Sequence, residues 1–161
     1  MTPAHDVFAE LNPAYCGTAL AAFVGAYKSL NDAGPELAIC YIALPVGLSG
    51  DLAETFAGTN RNTGLLEWLT RSPQVHIGLG SRVNSTMDVV TSSLRFGCFA
   101  NLLILGRDGR LQVGNRQVPK SSLDKLGAES VKAIKRVERL GYWFAMAGTT
   151  RNVFGVMGLT V

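Results

Sequence analysis

The chain has 161 residues, a length that suits one domain with a single core. It is 47% hydrophobic and only 17% charged, with a formal net charge of +3. The longest apolar run, residues 37–48, is broken by Pro45 and is too short to cross a bilayer, and Asp6 and Glu10 replace the basic residues of a secretory signal. We therefore expect one cytoplasmic domain over residues 1–161, without a membrane segment, whose low charge favours either burial against a partner or self-association.

The first half of the chain predicts helices. Asn12 as the N-cap and Pro13 as the first helical residue open a helix with one apolar stripe from Leu20 to Leu30, and Gly34-Pro35 ends it. The stretch 37–44 is continuously apolar, and its periodicity leaves a buried strand and a buried helix equally open. A short helix is expected over about residues 51–57.

The middle of the chain predicts helices followed by a hairpin. Three helices are expected over residues 64–69, 74–83 and 85–98, and a capping box of Ser85 and Asp88 marks the start of the third. Asp108-Gly109 between two apolar runs then favours a hairpin over 102–113 with a tight primed turn. This order of elements is typical of a winged helix-turn-helix unit, here over about residues 59–114.

One long helix is predicted from Ser121 or Ser122 to Ala147, followed by a short helix that Thr149 caps. The apolar stripe of the long helix consists of Ala133, Val137, Leu140 and Phe144. Its basic stripe, expected to face solvent, consists of Lys132, Lys135, Arg136 and Arg139. The expected fold is mainly α with a small β-hairpin, a winged-helix-like single domain.

Charge is unevenly distributed along the chain. Residues 1–106 carry five Lys/Arg and eight Asp/Glu, a net of −3, whereas residues 107–161 carry ten Lys/Arg and four Asp/Glu, a net of +6. A basic third on an acidic body indicates an acidic partner, either nucleic acid or protein, although an ordinary solvated helix face explains the same bias.

The sequence contains no pattern that indicates catalysis, a cofactor or a metal ion. It has no phosphate-binding glycine loop, no zinc-ligand spacing and no nucleophile elbow with a base for Ser49. The three cysteines are interpreted as reduced, buried thiols. A nucleophilic pair of a cysteine with His5 or His76 stays open as a distant alternative. The cysteines are Cys16, Cys40 and Cys98.

Scattered apolar, glycine and proline positions resemble the middle component of bacterial three-component ABC systems over nearly the whole chain. The matching stretches are Asn12-Pro13-Ala14, Phe23 to Tyr27, Ala43-Leu44-Pro45, Thr63 to Leu69, Arg139 to Ala145, and Thr149 to Gly158. The resemblance implies a non-catalytic adaptor between an SMC/Rad50-type ABC ATPase and a third, effector component, acting against phage and other invading DNA.

Two other functions compete with the adaptor: a winged-helix DNA-binding regulator that acts alone and, more distantly, an enzyme with a buried Cys or Ser. For the adaptor, the expected contact surface for the ATPase or its DNA combines the basic stripe with an aromatic residue and one later arginine. These site residues are Lys132, Lys135, Arg136, Arg139, Trp143 and Arg151. Direct contact with DNA is expected to be weak.

Overall fold

The computed structural model describes residues 13–160, and helices dominate them. The α-helices are α1 (Pro13–Leu30), α2 (Leu37–Leu48), α3 (Leu65–Arg71), α4 (Leu79–Phe99), α5 (Lys120–Asp124), α6 (Ala128–Ala147) and α7 (Thr150–Val156). The strands β1 (Leu103–Leu105) and β2 (Leu111–Val113) form an antiparallel pair, and 3-10 turns cover Gly50–Phe56 and Pro73–His76. The prediction of a mainly α fold with one small hairpin is confirmed.

Helices α1 and α6 pack against each other more extensively than any other two elements. They approach so closely at Gly141 that a Cβ there would lie 2.4 Å from the carbonyl oxygen of Phe23. One helical turn away, the rings of Phe23 and Phe144 meet edge to face with their centroids 5.8 Å apart, a geometry worth about 0.5–1.5 kcal/mol beyond burial. The helix predicted to begin at Pro13 is confirmed, and it ends at Leu30, before the expected stop at Gly34-Pro35. Its predicted cap, Asn12, lies outside the described residues.

The apolar stretch after α1 is a helix, which settles the choice that periodicity left open. Helix α2 is apolar on every side and nearly all of it is buried, as expected for a helix at the centre of a core. Pro45 lies inside it. Among the helices described, none is by itself long and apolar enough to cross a membrane; α2 and the turn Gly50–Phe56 reach that length and composition only as a pair bent by 90°.

The separate helix predicted over 74–83 is wrong, and so is the helix start at Ser85. After the turn Pro73–His76, the left-handed Gly78 (φ +67°) redirects the chain, and α4 then runs unbroken from Leu79 to Phe99. Ser85 lies inside α4, and its hydroxyl donates to the Arg82 carbonyl oxygen, as a mid-helix serine does. The winged-helix arrangement of residues 59–114 stays a prediction.

The hairpin lies where the sequence predicts it, with Leu105 paired to Leu111 at its closed end. Its turn is not a primed one, because Asp108 has no positive φ and only Gly109 is left-handed, at +79°. The amide of Gly109 donates to the carbonyl oxygen of Gly106, and the amide of Gly106 donates to the carbonyl oxygen of Arg110. A longer loop with one left-handed glycine therefore replaces the expected two-residue turn.

The long C-terminal helix begins later than predicted. Residues 120–124 form the separate helix α5, and the extended backbone of Gly127 (ψ 156°) precedes the first residue of α6, Ala128. The end of the helix and the next start agree with the sequence: Gly148 follows α6, and the Thr149 hydroxyl accepts from the amide of Asn152 at 3.1 Å. The serines at 121 and 122 thus start no long helix.

Replacement of Gly141 by Ala is expected to lower the free energy of unfolding by about 1–3 kcal/mol, because the new methyl group meets backbone that cannot move aside. Gly155→Ala is the matched control, since nothing lies within 4 Å of a Cβ on that helical glycine. Urea unfolding monitored by circular dichroism measures both changes. Equal stability of the two variants would contradict the close approach of α1 and α6.

Candidate partner-binding surface

The two lysines of the predicted basic stripe point to solvent. The side chains of Lys132 and Lys135 are 68% and 64% exposed. Their ammonium groups lie 3.5 Å from Glu129 and 3.9 Å from Glu138, each three residues away on α6. Exposed pairs of this kind contribute little to stability, so both lysines are free to exchange these partners for groups on another molecule.

Arg136 is buried, which contradicts the expectation that the whole basic stripe faces solvent. Its Nε donates to the carbonyl oxygen of Gly47 at 2.8 Å. Gly47 lies in the last turn of α2, where carbonyl groups lack an intrahelical donor, so the guanidinium satisfies the end of that helix. Burial lowers the pKa of Arg136 below its ordinary value, and the charge of Glu129 opposes the shift.

The expectation that Trp143 belongs to an exposed contact surface is also wrong, because none of its side chain is exposed. Its Nε1 donates to the carbonyl oxygen of Asn60 at 2.9 Å, and its ring stacks on Phe56 with centroids 5.7 Å apart. Arg139, half-buried one turn earlier, donates to the Phe56 carbonyl oxygen at 3.3 Å and to the Thr59 hydroxyl at 3.0 Å. Both side chains fasten the segment after α2 to the core.

We call Arg136, Arg139 and Trp143 the anchor residues. They occupy a shoulder of α6 that residues 47–60 cover, which widens the buried side of the helix beyond the apolar stripe seen in the sequence. The sixth predicted site residue, Arg151, is exposed on a different helix, α7. The structure therefore divides the predicted set into three internal supports and three exposed cations.

Arg136→Met is expected to destabilise the fold by about 1–3 kcal/mol, because it leaves a buried carbonyl group without its donor. Lys135→Met, one residue away and exposed, is expected to change stability by about 0.5 kcal/mol at most. Chemical denaturation of the two variants and the parent chain tests the difference. An effect of Lys135→Met as large as that of Arg136→Met would refute the division of the stripe.

A concave, largely apolar groove between α1 and α6, which sequence reasoning missed, lies beside the exposed Lys135. It consists of two adjoining cavities of about 420 and 370 Å³ that share four lining residues. We call it the α1–α6 groove. The shared residues are Thr18, Leu102, Val118 and Leu123, and the rim of the larger cavity carries Arg116, Lys135 and Glu138.

The sequence does contain a signal for this groove. Short side chains recur on α1 at i, i+3, i+4 and i+7, on a different face from its large apolar stripe, and they leave space that larger residues would fill. These residues are Thr18, Ala21, Ala22 and Gly25. Small residues at helical spacing thus predict a shallow floor, provided that the walls are known from the fold.

A second depression, of about 440 Å³, lies where α3, α7 and the end of α6 meet. Two large apolar side chains on its lining, Leu66 and Met146, are 69% and 51% exposed. We call it the α3–α7 depression. Residues 131–138 of α6 line the groove and residues 143–147 line this depression, so one helix joins the two surfaces.

Apolar side chains are also exposed at the hairpin. Phe99, at the end of α4, is 88% exposed, and Ile104 and Leu105 on β1 are exposed by 42% and 49%. The cavities described above do not include these three residues. Isolated exposed apolar residues are common on protein surfaces, and this edge by itself indicates no ligand.

The three cysteine thiols are free, and their environments disfavour the reactive thiolate. Burial raises the pKa of Cys40 to about 12, and burial also raises the pKa of Cys16 and of the half-buried Cys98. A thiol is nucleophilic only when it ionises. The ring of His76 hydrogen-bonds the Val156 carbonyl oxygen at 3.1 Å, and His5 lies outside the described residues.

Ser49 has a carboxylate neighbour that the sequence did not reveal. Its hydroxyl contacts Asp51 and accepts from Arg82 Nη1 at 2.5 Å, while Arg82 Nη2 pairs with Asp51 at 2.7 Å. Burial alone would raise the pKa of Asp51, but hydrogen bonds from Arg82 and Ser49 hold it below its ordinary value. Such a carboxylate is a weak base, and Ser49 is buried.

Because the pKa of Asp51 lies below 3.8 in the folded chain, its ionised form stabilises the fold above pH 3.8, and this contribution is lost as the pH falls through the folded pKa. Asp51→Asn is expected to lower stability at pH 7 by about 1 kcal/mol or less, since the carboxylate is half-exposed. The difference from the parent chain should vanish in strong acid. Unfolding curves across this range, with exposed Asp88→Asn as the control, test it.

Comparison with known proteins gives one finding. The family model described as "ABC-three component (ABC-3C) system Middle Component 3" matches residues 4–161. No curated protein and no solved structure gives a significant match. Among the described residues, no group of three or more His, Cys, Asp or Glu side chains could hold a metal ion.

Proposed function

Because the chain belongs to the Middle Component 3 family of ABC-three component systems, we propose that it is a non-catalytic adaptor subunit. In this proposal it bridges an SMC/Rad50-type ABC ATPase and a third, effector component in the bacterial cytoplasm, as part of defence against phage and plasmids. The family match carries the proposal, since a middle component belongs to a system with other components. It needs no cofactor or metal.

Two separate surfaces on one helix support a bridging role. The groove side of α6 is centred near Ile134 and the depression side near Met146. At 1.5 Å per residue these positions lie about 18 Å apart along the helix axis. A bridging adaptor needs two distinct surfaces, and the groove and the depression are lined by different stretches of α6.

The thiols and the serine support the non-catalytic part of the proposal. Cys40 has a pKa of about 12, and Ser49 is held between a carboxylate and a guanidinium group. Neither environment activates a nucleophile. The buried Cys or Ser of the competing enzyme hypothesis therefore has little chemical support.

The regulator that acts alone on DNA has less support than the adaptor. Of the four cations on the predicted basic stripe, only Lys132 and Lys135 are freely exposed. Two phosphate contacts give a salt slope of only about −1.8. The other exposed cations, Arg116, Lys120 and Lys125 among them, lie outside this stripe, and we propose that any DNA contact is weak and secondary to the partner proteins.

Co-expression with the neighbouring gene products tests the bridge. The ATPase and the third component are expected to co-purify when this chain is present and to separate when its gene is deleted. An ATPase–effector complex recovered equally well without the chain would overturn the bridging role.

Phage-plating assays test the absence of catalysis separately. Cys98→Ser and Ser49→Ala are each expected to preserve defence, because neither side chain is proposed to react. Stability and partner binding are measured on the same variants. Loss of defence by a stable variant that still binds both partners would show that the chain catalyses a reaction.

A further inference from the structure

We propose that the α1–α6 groove binds one amphipathic helix of a partner component, with its apolar face inside and acidic side chains on its flank. This inference rests on the proposed function only for the premise that other components bind the chain. It assigns a surface and a ligand chemistry that family membership does not supply.

The groove has the size and lining of a site for large apolar side chains. Its floor is the short-residue face of α1, and its walls include Val131 and Ile134 of α6 and Leu102 and Val113 beside the hairpin. Cavities of about 420 and 370 Å³ fall in the range of about 300–1,000 Å³ that is usual for ligand pockets. Apolar side chains from outside would fill space that residues 13–160, the part the structure describes, leave open.

The lining favours a helix over an extended segment. From Ala14 to Gly25 the floor follows α1 for about 16 Å, which is three helical turns. Apart from Tyr15, Thr18, Gln117, Ser122 and three charged side chains, the lining is apolar, so an extended peptide would bury part of its backbone against groups that offer no hydrogen bonds. A helix satisfies its own backbone and presents side chains at i, i+3/i+4 and i+7 to such a groove.

The rim favours acidic flanks on that helix. Arg116 and Lys135 line the larger cavity, and both are exposed. The charged side chains on the lining are two basic and one acidic, a net of +1, and three more lysines lie between residues 116 and 135 outside the lining. Glu138 lies on the same rim but is paired loosely with Lys135, at 3.9 Å. Carboxylates on a docked helix would compete for the lysine and complement the surplus of positive charge.

Two other occupants are conceivable and give different experimental results. Residues 1–12 precede Pro13, next to Ala14 and Tyr15 at one end of the groove, and they include Asp6 and Glu10 together with apolar residues. They share the acidic and apolar character of the proposed helix, so their deletion separates the two assignments. A second copy of the chain is the other occupant, and the oligomeric state of the chain identifies it.

The test measures binding of the purified ATPase and the purified third component, each separately, to the full chain. Arg116→Glu/Lys135→Glu is expected to weaken one partner at least tenfold and to leave the other unchanged. Ala22→Phe, which fills the groove without altering charge, should weaken the same partner. Arg95→Glu/Arg107→Glu is the matched control, because it makes an equal change of charge at exposed sites away from the groove.

The possible outcomes are distinct. If the groove variants bind both partners as tightly as the parent chain does, the assignment of the groove is overturned and the proposed function stands. Failure of the parent chain to bind either partner overturns the proposed function and this inference with it. Hydrogen exchange in the isolated chain tests the first of the other occupants: protection of residues 18–25 that disappears when residues 1–11 are deleted assigns the groove to that segment. A dimer that Ala22→Phe dissociates assigns the groove to a second copy of the chain.

Discussion

The contact between the backbones of α1 and α6 at Gly141 determines how the rest of the chain can pack. Without a side chain at this position the two helices come close enough for Phe23 and Phe144 to interlock. Helix α2 and residues 47–60 then cover a second side of α6. Only one side of α6 remains exposed, and it carries Lys132, Lys135 and the rim of the groove.

Backbone carbonyl groups within residues 47–60 explain why the cations of α6 differ in role. The carbonyl group of Gly47, at the end of α2, is buried and accepts from Arg136. Those of Phe56 and Asn60 accept from the amides of Thr59 and Thr63, and Arg139 and Trp143 are additional donors to them. Long side chains on α6 supply those donors across a distance that shorter residues could not span. The count of basic residues in the sequence therefore overstates the charge that the chain can offer to a partner.

Local signals in the sequence predicted the elements whose ends depend on local chemistry. Pro13, the Asp108-Gly109 turn and the Thr149 cap each act within a few residues, and the helix, the hairpin and the cap are confirmed. The roles of Arg136 and Trp143 depend instead on a segment more than 80 residues earlier, which periodicity cannot reveal. The groove was missed for the same reason, since its walls come from distant parts of the chain.

The continuity of α6 also governs the entropy of assembly. The α1–α6 groove and the α3–α7 depression share one unbroken helix. The glycine between them, Gly141, packs against α1 and so cannot act as a hinge. Two molecules held at these sites would keep a constant separation and orientation. Such preorganisation spares the loss of rotational freedom that a flexible linker would incur when its second ligand arrives.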